Sequence, residues 1–412
     1  MNDRAILEAL FGAALDAAYP DGKFAGRLPE PPKGRTIVIG AGKAAARMAA
    51  AFEREWGRPC EGLVVTRYGH AMPTRFIEVV EAAHPVPDEA GMAAAGRILA
   101  LAQSAGPDDL VVCLMSGGAS ALLMLPAPGL TLGDKQSLNK ALLKSGAPIG
   151  VMNRVRKAVS AIKGGRLAAA AAPARLVTYL ISDVPGDDPR SIGSGPTVPE
   201  ASDAEGALAI LRQYAIEVPA HVEAAIRANV VADVPPPGEM HMLATPFMAL
   251  EAAAAKAREL GLTPLILGDA LEGEAREVAT VMAGVTRSVV EHGMPAKVPC
   301  VLLSGGETTV TVRGQGRGGR NAEFLLALAL GVAGLDQVAA IACDTDGIDG
   351  SETNAGAFID GSFTADAAAR GIDLAGHLAR NDAYSAFAAL DRLVITGPTL
   401  TNVNDFRAIL VR

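Results

Sequence analysis

Short apolar runs alternate with helix-like stretches along nearly the whole chain, and this alternation limits what the chain can fold into. An apolar run at 36–39 precedes a helical stretch at 43–55, and another run at 109–115 follows a helical stretch at 89–104. Strands that alternate with helices form a mostly parallel sheet covered on both faces. The sequence therefore predicts an α/β fold. Because 50% of residues are hydrophobic and only 4% are aromatic, alanine, valine and leucine must fill its core.

The length of 412 residues is enough for two domains, each with its own core. The stretch 231–238, VADVPPPG, is rich in proline and glycine and is the best candidate for a linker. We therefore predict a Rossmann-like N-terminal domain over 1–235 and a second α/β domain over 236–412. Within the second domain, apolar runs at 298–303 and 308–312 predict a hairpin around the turn SGGE.

The overall charge and the cysteines indicate the class of protein and its surroundings. The net charge of −8 argues against binding to nucleic acid or to a membrane surface. The four cysteines are widely spaced, which favours buried thiols in a reducing compartment over a disulfide framework or a zinc site. The first 18 residues lack the basic start and cleavage site of a secretory signal. We therefore expect a cytoplasmic protein.

A basic, glycine-rich segment at 304–324, SGGETTVTVRGQGRGGRNAEF, stands out against this acidic background. It contains six glycines and three arginines, Arg313, Arg317 and Arg320. Glycines let backbone amides crowd around an anion, and arginines supply paired donors to it. Arg320 begins a predicted helix, where the helix dipole disfavours a cation. The segment predicts a site for an anionic ligand, with an ion pair from Arg320 to Glu323 or Glu307 as the structural alternative.

Two further glycine turns follow predicted strands. GAGKAA, with Gly40, Gly42 and Lys43, has the strand, turn and helix start of a dinucleotide-binding fingerprint. That fingerprint expects an acidic residue after the second strand, but Arg67 stands there, and Lys43 at a helix start suits an anion better. The second turn is SGGAS, and helix starts of this kind bind phosphate or are capped by their own serine. Its candidate residues are Ser116, Gly117, Gly118 and Ser120.

Acidic turns and histidines supply the remaining candidates. SDVPGDDP and DTDGIDG follow strands, and carboxylates at strand ends suit Mg²⁺ held together with phosphate oxygens. Most single aspartates in such turns only cap them, so both interpretations stay open. His70 and His84 follow strands in the first domain and either contact substrate or stabilise the fold. The acidic candidates are Asp183, Asp187, Asp188, Asp344, Asp346 and Asp349.

The order of these motifs resembles the glycerate 2-kinase family, whose members carry a C-terminal MOFRL domain and are often labelled hydroxypyruvate reductases. The matching segments include IGAGKAA, AHPVPD, ISDVPGDDP, GRGGRNAEF, DTDGIDG and TGPTLTNVND. The resemblance covers almost the whole chain. It implies ATP-dependent, Mg²⁺-assisted phosphorylation of D-glycerate at the 2-hydroxyl group, in a cleft between two α/β domains. It matches the family's essential lysine to Lys43 and its essential arginine to Arg320. Ala119 and Glu200 are small departures from the family pattern.

On this interpretation each candidate has a role. Lys43, Arg320 and Asp183 would be catalytic, and His84, Arg67 and Glu307 would contact the substrate, which is D-glycerate or a related hydroxy acid. Asp344 and Asp346 would hold Mg²⁺. An NAD(P)H-dependent hydroxypyruvate reductase and a non-catalytic sugar-phosphate-binding protein are the alternatives. The residues expected to bind the phosphates of ATP are Gly40, Gly42, Ser116, Gly117, Gly118, Ser120, Gly318 and Gly319.

Overall fold

The computed structural model describes residues 2–231 and 234–412, which fall into two compact units. The N-terminal unit consists of Pro20–Ser182 and Asp187–Leu243. The C-terminal unit consists of Met1–Tyr19, Asp183–Gly186 and Ala244–Arg412, so the first helix of the chain belongs with its last strands. The division at residue 235 stays a prediction, and residues 232 and 233 of the predicted linker lie outside the described residues.

The elements alternate along the chain much as the hydrophobic pattern predicts. The strands are β1 Thr36–Ala41, β2 Glu61–Arg67, β3 Ile77–Ala82, β4 Leu110–Met115, β5 Arg175–Ile181, β6 Glu239–Ala244, β7 Thr263–Gly268, β8 Gly273–Glu274, β9 Cys300–Ser304, β10 Thr308–Thr309, β11 Val338–Asp344, β12 Gly356–Ile359, β13 Leu393–Val394 and β14 Asp405–Val411. The helices are α1 Asp3–Ala18, α2 Ala45–Trp56, α3 Glu89–Gln103, α4 Ala119–Leu122, α5 Leu132–Lys144, α6 Ile149–Ala158, α7 Arg166–Ala171, α8 Ala204–Gln213, α9 Ala220–Ala228, α10 Pro246–Glu259, α11 Ala275–His292, α12 Arg320–Gly331, α13 Phe363–Ala369, α14 Leu374–Ala379 and α15 Ala383–Ala389.

The N-terminal unit is built on a six-stranded sheet in the order β3-β2-β1-β4-β5-β6. The pairings β3-β2, β2-β1, β1-β4 and β4-β5 are all parallel, which confirms the predicted parallel sheet. Every residue of β1 and β4 is buried, as expected for central strands covered on both faces. The strand order reverses between β1 and β4, and in open α/β sheets such a switch point is where ligands bind.

The C-terminal unit has a six-stranded mixed sheet in the order β13-β12-β11-β14-β9-β7. Only β7 and β9 pair in parallel, and the other neighbours are antiparallel. Helix α1 packs within this unit, where Phe11 lies against Phe406 of β14 with ring centroids 5.6 Å apart. The buried core of the unit includes α11, α12 and the central strands.

The predicted hairpin around SGGE is wrong. Strand β9 pairs with β14 and β7, whereas β10 pairs in parallel with β8 in a separate two-stranded sheet. The chain leaves the sheet at Gly306, whose φ is +105° and whose position leaves no room for a side chain, since a Cβ would lie 2.2 Å from the Leu271 nitrogen. A glycine is needed for this close approach, and it directs the next residues towards β8.

Helix starts in both units follow capping rules that can be read locally. Asp88 accepts a hydrogen bond from the Gly91 amide at the start of α3, and Thr131 forms a capping box with Asp134 at the start of α5. Thr245 caps α10, whose first residue is Pro246. Among the described residues, no helix combines the length and apolar character that a membrane span requires.

Candidate active site

In the N-terminal unit, the two glycine turns at the ends of β1 and β4 pack directly on each other. Gly42 has a φ of +134°, and a Cβ there would lie 2.1 Å from the Ser116 Oγ. A Cβ on Gly40 would lie 2.1 Å from the Leu114 carbonyl oxygen. The Gly42 amide donates to the Val65 carbonyl at 3.0 Å. Gly40 and Gly42 therefore have a packing role, and the Gly42 amide already has a protein acceptor.

The second turn presents amides that the protein does not use. The Lys43 amide donates to the Gly117 carbonyl at 2.8 Å, and the Ala44 amide donates to the Ser116 Oγ at 3.0 Å, so Ser116 holds the two turns together. In the described chain, the amides of Gly117 and Gly118 donate to no protein acceptor. Two adjacent N–H groups at the end of a parallel strand, just before α4, can bind an oxyanion.

Lys43, His84 and Gly118 lie next to one another beside this turn. A Cβ on Gly118, whose φ is +80°, would lie 3.1 Å from the His84 Nε2 and 3.2 Å from the Lys43 Cγ. Burial, together with the charges of Lys43 and Arg67, lowers the pKa of His84 to about 3. Burial, with the charge of Arg67 next, lowers the pKa of His70 to about 4. Both imidazoles are therefore neutral at pH 7, and the positive charge of the cluster belongs to Lys43 and Arg67.

Arg320 in the C-terminal unit lies within a ring of three carboxylates. Its Nε donates to Asp405 at 2.8 Å, and its two terminal nitrogens donate to Glu307 and Asp344, each at 2.9 Å. Burial opposes its charge, but Asp405, Asp344 and Glu307 outweigh burial and raise the pKa of Arg320. A guanidinium has five N–H donors, so about two remain for a ligand after these three bonds. The ion pair with Glu307, the structural alternative raised from the sequence, is present, whereas Glu323 pairs with Arg276 at 2.7 Å.

The other two arginines of the glycine-rich segment do not join Arg320 at this ring. Arg317 pairs with Glu352 and stacks 4.6 Å from the Tyr384 ring centre. At Arg313, the backbone amide donates to Asn381 Oδ1 at 2.7 Å. Protein carboxylates therefore pair with two of the three arginines.

The glycines before α12 make room for a buried carboxylate. A Cβ on Gly319 would lie 2.3 Å from Asp349 Oδ1, and Asp349 accepts the amides of Asn321 and Ala322 at the start of α12. Burial raises the pKa of Asp349 to about 7 against the effect of these two bonds, and the charge of Asp405 adds to it. Gly318 and Gly319 border a cavity of about 440 Å³ that Arg320 and Glu307 also line. The glycines thus shape a cavity within the C-terminal unit.

The acidic turn after β11 is joined to Asp183 through the segment 399–405. Asp344 uses Oδ2 for Arg320 and accepts the Asp346 amide on Oδ1. Asp346 in turn accepts the Ile348 amide at 2.8 Å, and its own carbonyl accepts the Thr399 amide. Asp183 accepts from Asn402 Nδ2 at 2.8 Å, and its carbonyl accepts from Asn404 Nδ2. Asp183, Asp344 and Asp346 are therefore held in one connected polar network.

Several residues of this site were missed by sequence reasoning. Asp405 bridges Arg320 and the buried Arg407, and Asn402 and Asn404 hold Asp183. These residues belong to TGPTLTNVND, a run that from the sequence alone reads as a polar turn capping the last strand. The sequence did contain a signal for these residues: Asn, Thr and Asp are concentrated immediately before a buried strand, and such side chains must find hydrogen-bond partners.

The fold and these sites define the class of protein: a two-unit α/β protein with two unused amides in a glycine turn on one sheet and a carboxylate-bound arginine on the other. Residues 6–227 match a domain of unknown function (DUF4147), and residues 300–405 match the MOFRL family. The chain is 52% identical to a protein of Agrobacterium vitis provisionally named hydroxypyruvate reductase, a match that covers 100% of this chain and 95% of the relative. It is 40% identical to the D-glycerate 2-kinase of Thermotoga maritima, over 95% of this chain and 94% of that enzyme.

The solved structures agree with the sequence relatives. The crystal structure of a glycerate kinase from Thermotoga maritima superposes with a TM-score of 0.91 at 38% identity, covering 99% of both chains. The chain belongs to the glycerate 2-kinase family and is thus a member of a kinase family. The family prediction made from the sequence motifs is confirmed.

Proposed function

We propose that the chain is an ATP-dependent kinase that phosphorylates D-glycerate at its 2-hydroxyl group to give 2-phosphoglycerate. One observation carries this proposal from the geometry: each unit fixes one cation where a ligand can reach it. Lys43 lies beside the unused amides of Gly117 and Gly118, and Arg320 keeps about two N–H donors outside its carboxylate ring. The relationship to D-glycerate 2-kinases over almost the whole chain supports the same substrate.

Phosphoryl transfer asks the protein mainly to position the reactants and to balance charge. In the proposed reaction, the 2-hydroxyl oxygen of D-glycerate forms a bond to the γ-phosphorus, and the bond from that phosphorus to the β,γ-bridging oxygen breaks. The hydroxyl proton passes to a carboxylate, for which we propose Asp183. Lys43 and Arg320 would neutralise the charge on the transferring group and on the substrate carboxylate.

The acidic residues of the C-terminal unit fit the Mg²⁺ that such a reaction needs. Among the described residues, no group of three or more His, Cys, Asp or Glu side chains is arranged to hold a metal by itself. Mg²⁺ instead takes one or two carboxylates and fills its other positions with water and substrate phosphates. Asp344 and Asp346 would supply oxygen ligands of this kind, and the ion would neutralise phosphate charge when bound with the nucleotide.

We also propose that the protein works in the cytoplasm on small hydroxy acids. Its four cysteines are all free, and Cys113, Cys300 and Cys343 are buried. Burial raises the pKa of Cys113 to about 12, so this thiol stays protonated and unreactive. Free thiols of this kind suit a reducing compartment.

The test is to supply ATP, Mg²⁺ and D-glycerate and to identify the product as the 2- or 3-phosphate by NMR. Lys43→Ala and Arg320→Lys should each lower turnover by orders of magnitude, since each removes a directed donor at the reacting group. Arg317→Ala is the matched control because Arg317 lies in the same loop, is exposed and pairs with Glu352 instead of the carboxylates around Arg320. Near-wild-type turnover in either Lys43→Ala or Arg320→Lys would contradict the proposal. Binding of ATP without any turnover, with or without Mg²⁺, would also contradict it and would indicate a sensor.

A hydroxypyruvate reductase is the second candidate because a 52% identical relative carries that name. Dinucleotide-binding sheets place an acidic residue at the end of the second strand, where it binds the ribose. Here β2 ends at Arg67 beside β1, and the Gly42 amide is already bonded to Val65. Consumption of NADH or NADPH with hydroxypyruvate, followed by absorbance, would favour the reductase over the kinase.

A further inference from the structure

A cavity in the N-terminal unit has a lining that, apart from Ser120, the proposed reaction does not use. Its volume is about 150 Å³. One wall is apolar and includes Met124, Leu138 and Leu142. The rest of the lining is polar or cationic and defines what we term the Lys163 pocket, consisting of Ser120, Lys135, Asn139, Arg156 and Lys163.

The three cations of the Lys163 pocket are buried or half-buried without a carboxylate. Lys135 is 6% exposed and donates to the Leu125 carbonyl at 3.3 Å, and Lys163 is 2% exposed and donates to the Ser120 carbonyl. Arg156 donates to the side-chain oxygen of Asn139 at 2.9 Å. In the part of the chain that the structure describes, no Asp or Glu oxygen lies within 4.0 Å of these three side chains. Burying cations in this way is costly unless an anion accompanies them.

The cations also act on one another. Burial, with the charge of Arg156 next, lowers the pKa of Lys163 to about 7. Burial lowers the pKa of Lys135 well below its ordinary value, with Lys163 next. The neighbouring Lys157, on the same helix as Arg156, does have a carboxylate, Glu200, at 2.6 Å. The unit therefore supplies a counter-ion to a nearby lysine outside the Lys163 pocket and none to those inside it.

The Lys163 pocket adjoins the SGGAS turn, whose Gly117 and Gly118 amides are unused. Ser120 belongs to the SGGAS turn, and its carbonyl accepts the Lys163 ammonium on the pocket side. Pro85 lines the cavity and directly follows His84, which lies against Gly118. A ligand in the pocket would thus lie behind the turn whose amides the proposed reaction uses.

We propose that the Lys163 pocket binds the phosphate group of a small phosphorylated ligand. Only the identity of that ligand rests on the proposed function. Each lysine ammonium has three donors and uses one, and the Arg156 fork offers further N–H groups. The volume is smaller than the roughly 300–1,000 Å³ of pockets that enclose drug-sized ligands. It suits a phosphate or a phosphorylated three-carbon acid and is too small for a whole nucleotide.

Calorimetric titration of the full chain with inorganic phosphate tests the proposal. Wild type and Lys140→Met should bind phosphate equally, because Lys140 is exposed on the same helix as Lys135. Lys135→Met and Lys163→Met should each weaken binding by about tenfold or more, as loss of a buried charge-assisted bond implies. Equal affinity in all four proteins, or no binding to wild type, overturns the proposal.

The thermal unfolding of the ligand-free variants separates binding from structure. Replacing a buried charge that has no counter-ion with an apolar side chain of similar volume is often neutral or stabilising. Without phosphate, Lys135→Met should therefore unfold at or above the wild-type temperature. Added phosphate should raise the unfolding temperature of wild type more than that of the variant. The proposal is overturned if Lys135→Met unfolds at a lower temperature than wild type and Lys135→Arg does not restore phosphate binding. That result would show that Lys135 is structural.

Titration with ADP and with 2-phosphoglycerate identifies the source of the phosphate. If Lys163→Met weakens ADP binding, the pocket takes a nucleotide phosphate; if it weakens only 2-phosphoglycerate binding, the pocket takes the phosphorylated acid. Because these assays measure binding without turnover, failure of the kinase proposal leaves them readable. If the variants phosphorylate glycerate normally and bind phosphate with unchanged affinity, the proposal for the Lys163 pocket alone is overturned.

Discussion

Replacing Asp405 with asparagine removes the counter-ion that two arginines share. Asp405 Oδ1 accepts from Arg320 Nε and from Asn321 Nδ2, each at 2.8 Å, and Oδ2 accepts from Arg407. The side chains of Asp405 and Arg407 are 0% and 1% exposed. In the Asp405→Asn variant one acceptor becomes an NH₂ group that faces an arginine donor, and Arg407 is left charged and buried without a counter-ion.

Breaking a buried ion pair from one side costs about 3–5 kcal/mol. For a domain of about 150–250 residues each kcal/mol lowers the melting temperature by ~2–4 °C, so we expect a fall of about 6–20 °C in the transition of the C-terminal unit. Calorimetry or circular dichroism measures it. Glu259→Gln is the control, because the Lys256–Glu259 pair is exposed and such pairs contribute about 1 kcal/mol or less. If Asp405→Asn melts within a degree of Glu259→Gln, Asp405 is not the counter-ion we describe.

Two further changes test the turns. Gly118→Ala should lower turnover, because its Cβ would crowd His84 and Lys43. The control Gly129→Ala has a φ of +86° and no atom within 4 Å, so it carries the same backbone strain of about 1–2 kcal/mol and should keep turnover. Equal activities of the two variants would contradict this prediction. Asp349 has a folded pKa of about 7, above its ordinary 3.8, so the folded state binds the extra proton and the contribution of Asp349 to the free energy of unfolding should fall as pH rises from about 4 to 7. Asp349→Asn should remove this contribution, so that the free energy of unfolding measured with urea falls less, or rises more, over this pH range than in wild type; the same pH dependence in both proteins would refute the assignment.

Local patterns predicted the parts of the fold that local physics determines. The apolar run at 36–39 followed by glycines and a helical stretch became β1, its turn and α2, and the run at 109–115 became β4 beside it. Glycines at Gly40 and Gly42 were recognised as special, although the structure explains them by the closeness of two turns and only the second turn offers unused amides. Composition and periodicity report such features because they act between near neighbours.

Partners distant in sequence were not predictable in this way. Arg320 was recognised as a cation at an unfavourable helix start, but two of its carboxylates, Asp344 and Asp405, are 24 and 85 residues away. The hairpin failed for the same reason, since the partner of β10 is β8, on the far side of α11. No local pattern specifies which carboxylate or which strand completes such a contact, because the topology of the whole unit decides it.

The charges of the two clusters differ in sign, and this difference bears on how the proposed reactants are divided. Lys43 and Arg67 carry the charge of the N-terminal cluster, because His70 and His84 are kept neutral by burial and by those cations. Around Arg320 three carboxylates exceed two guanidiniums, because Asp405 pairs with Arg407 as well as with Arg320. A surplus of positive charge attracts phosphate and a surplus of carboxylate attracts a divalent cation. Under the proposed function, we therefore expect the polyphosphate to bind at the Lys43 turn, and Asp344 would hold Mg²⁺ while Arg320 is kept in place by the acids that it neutralises.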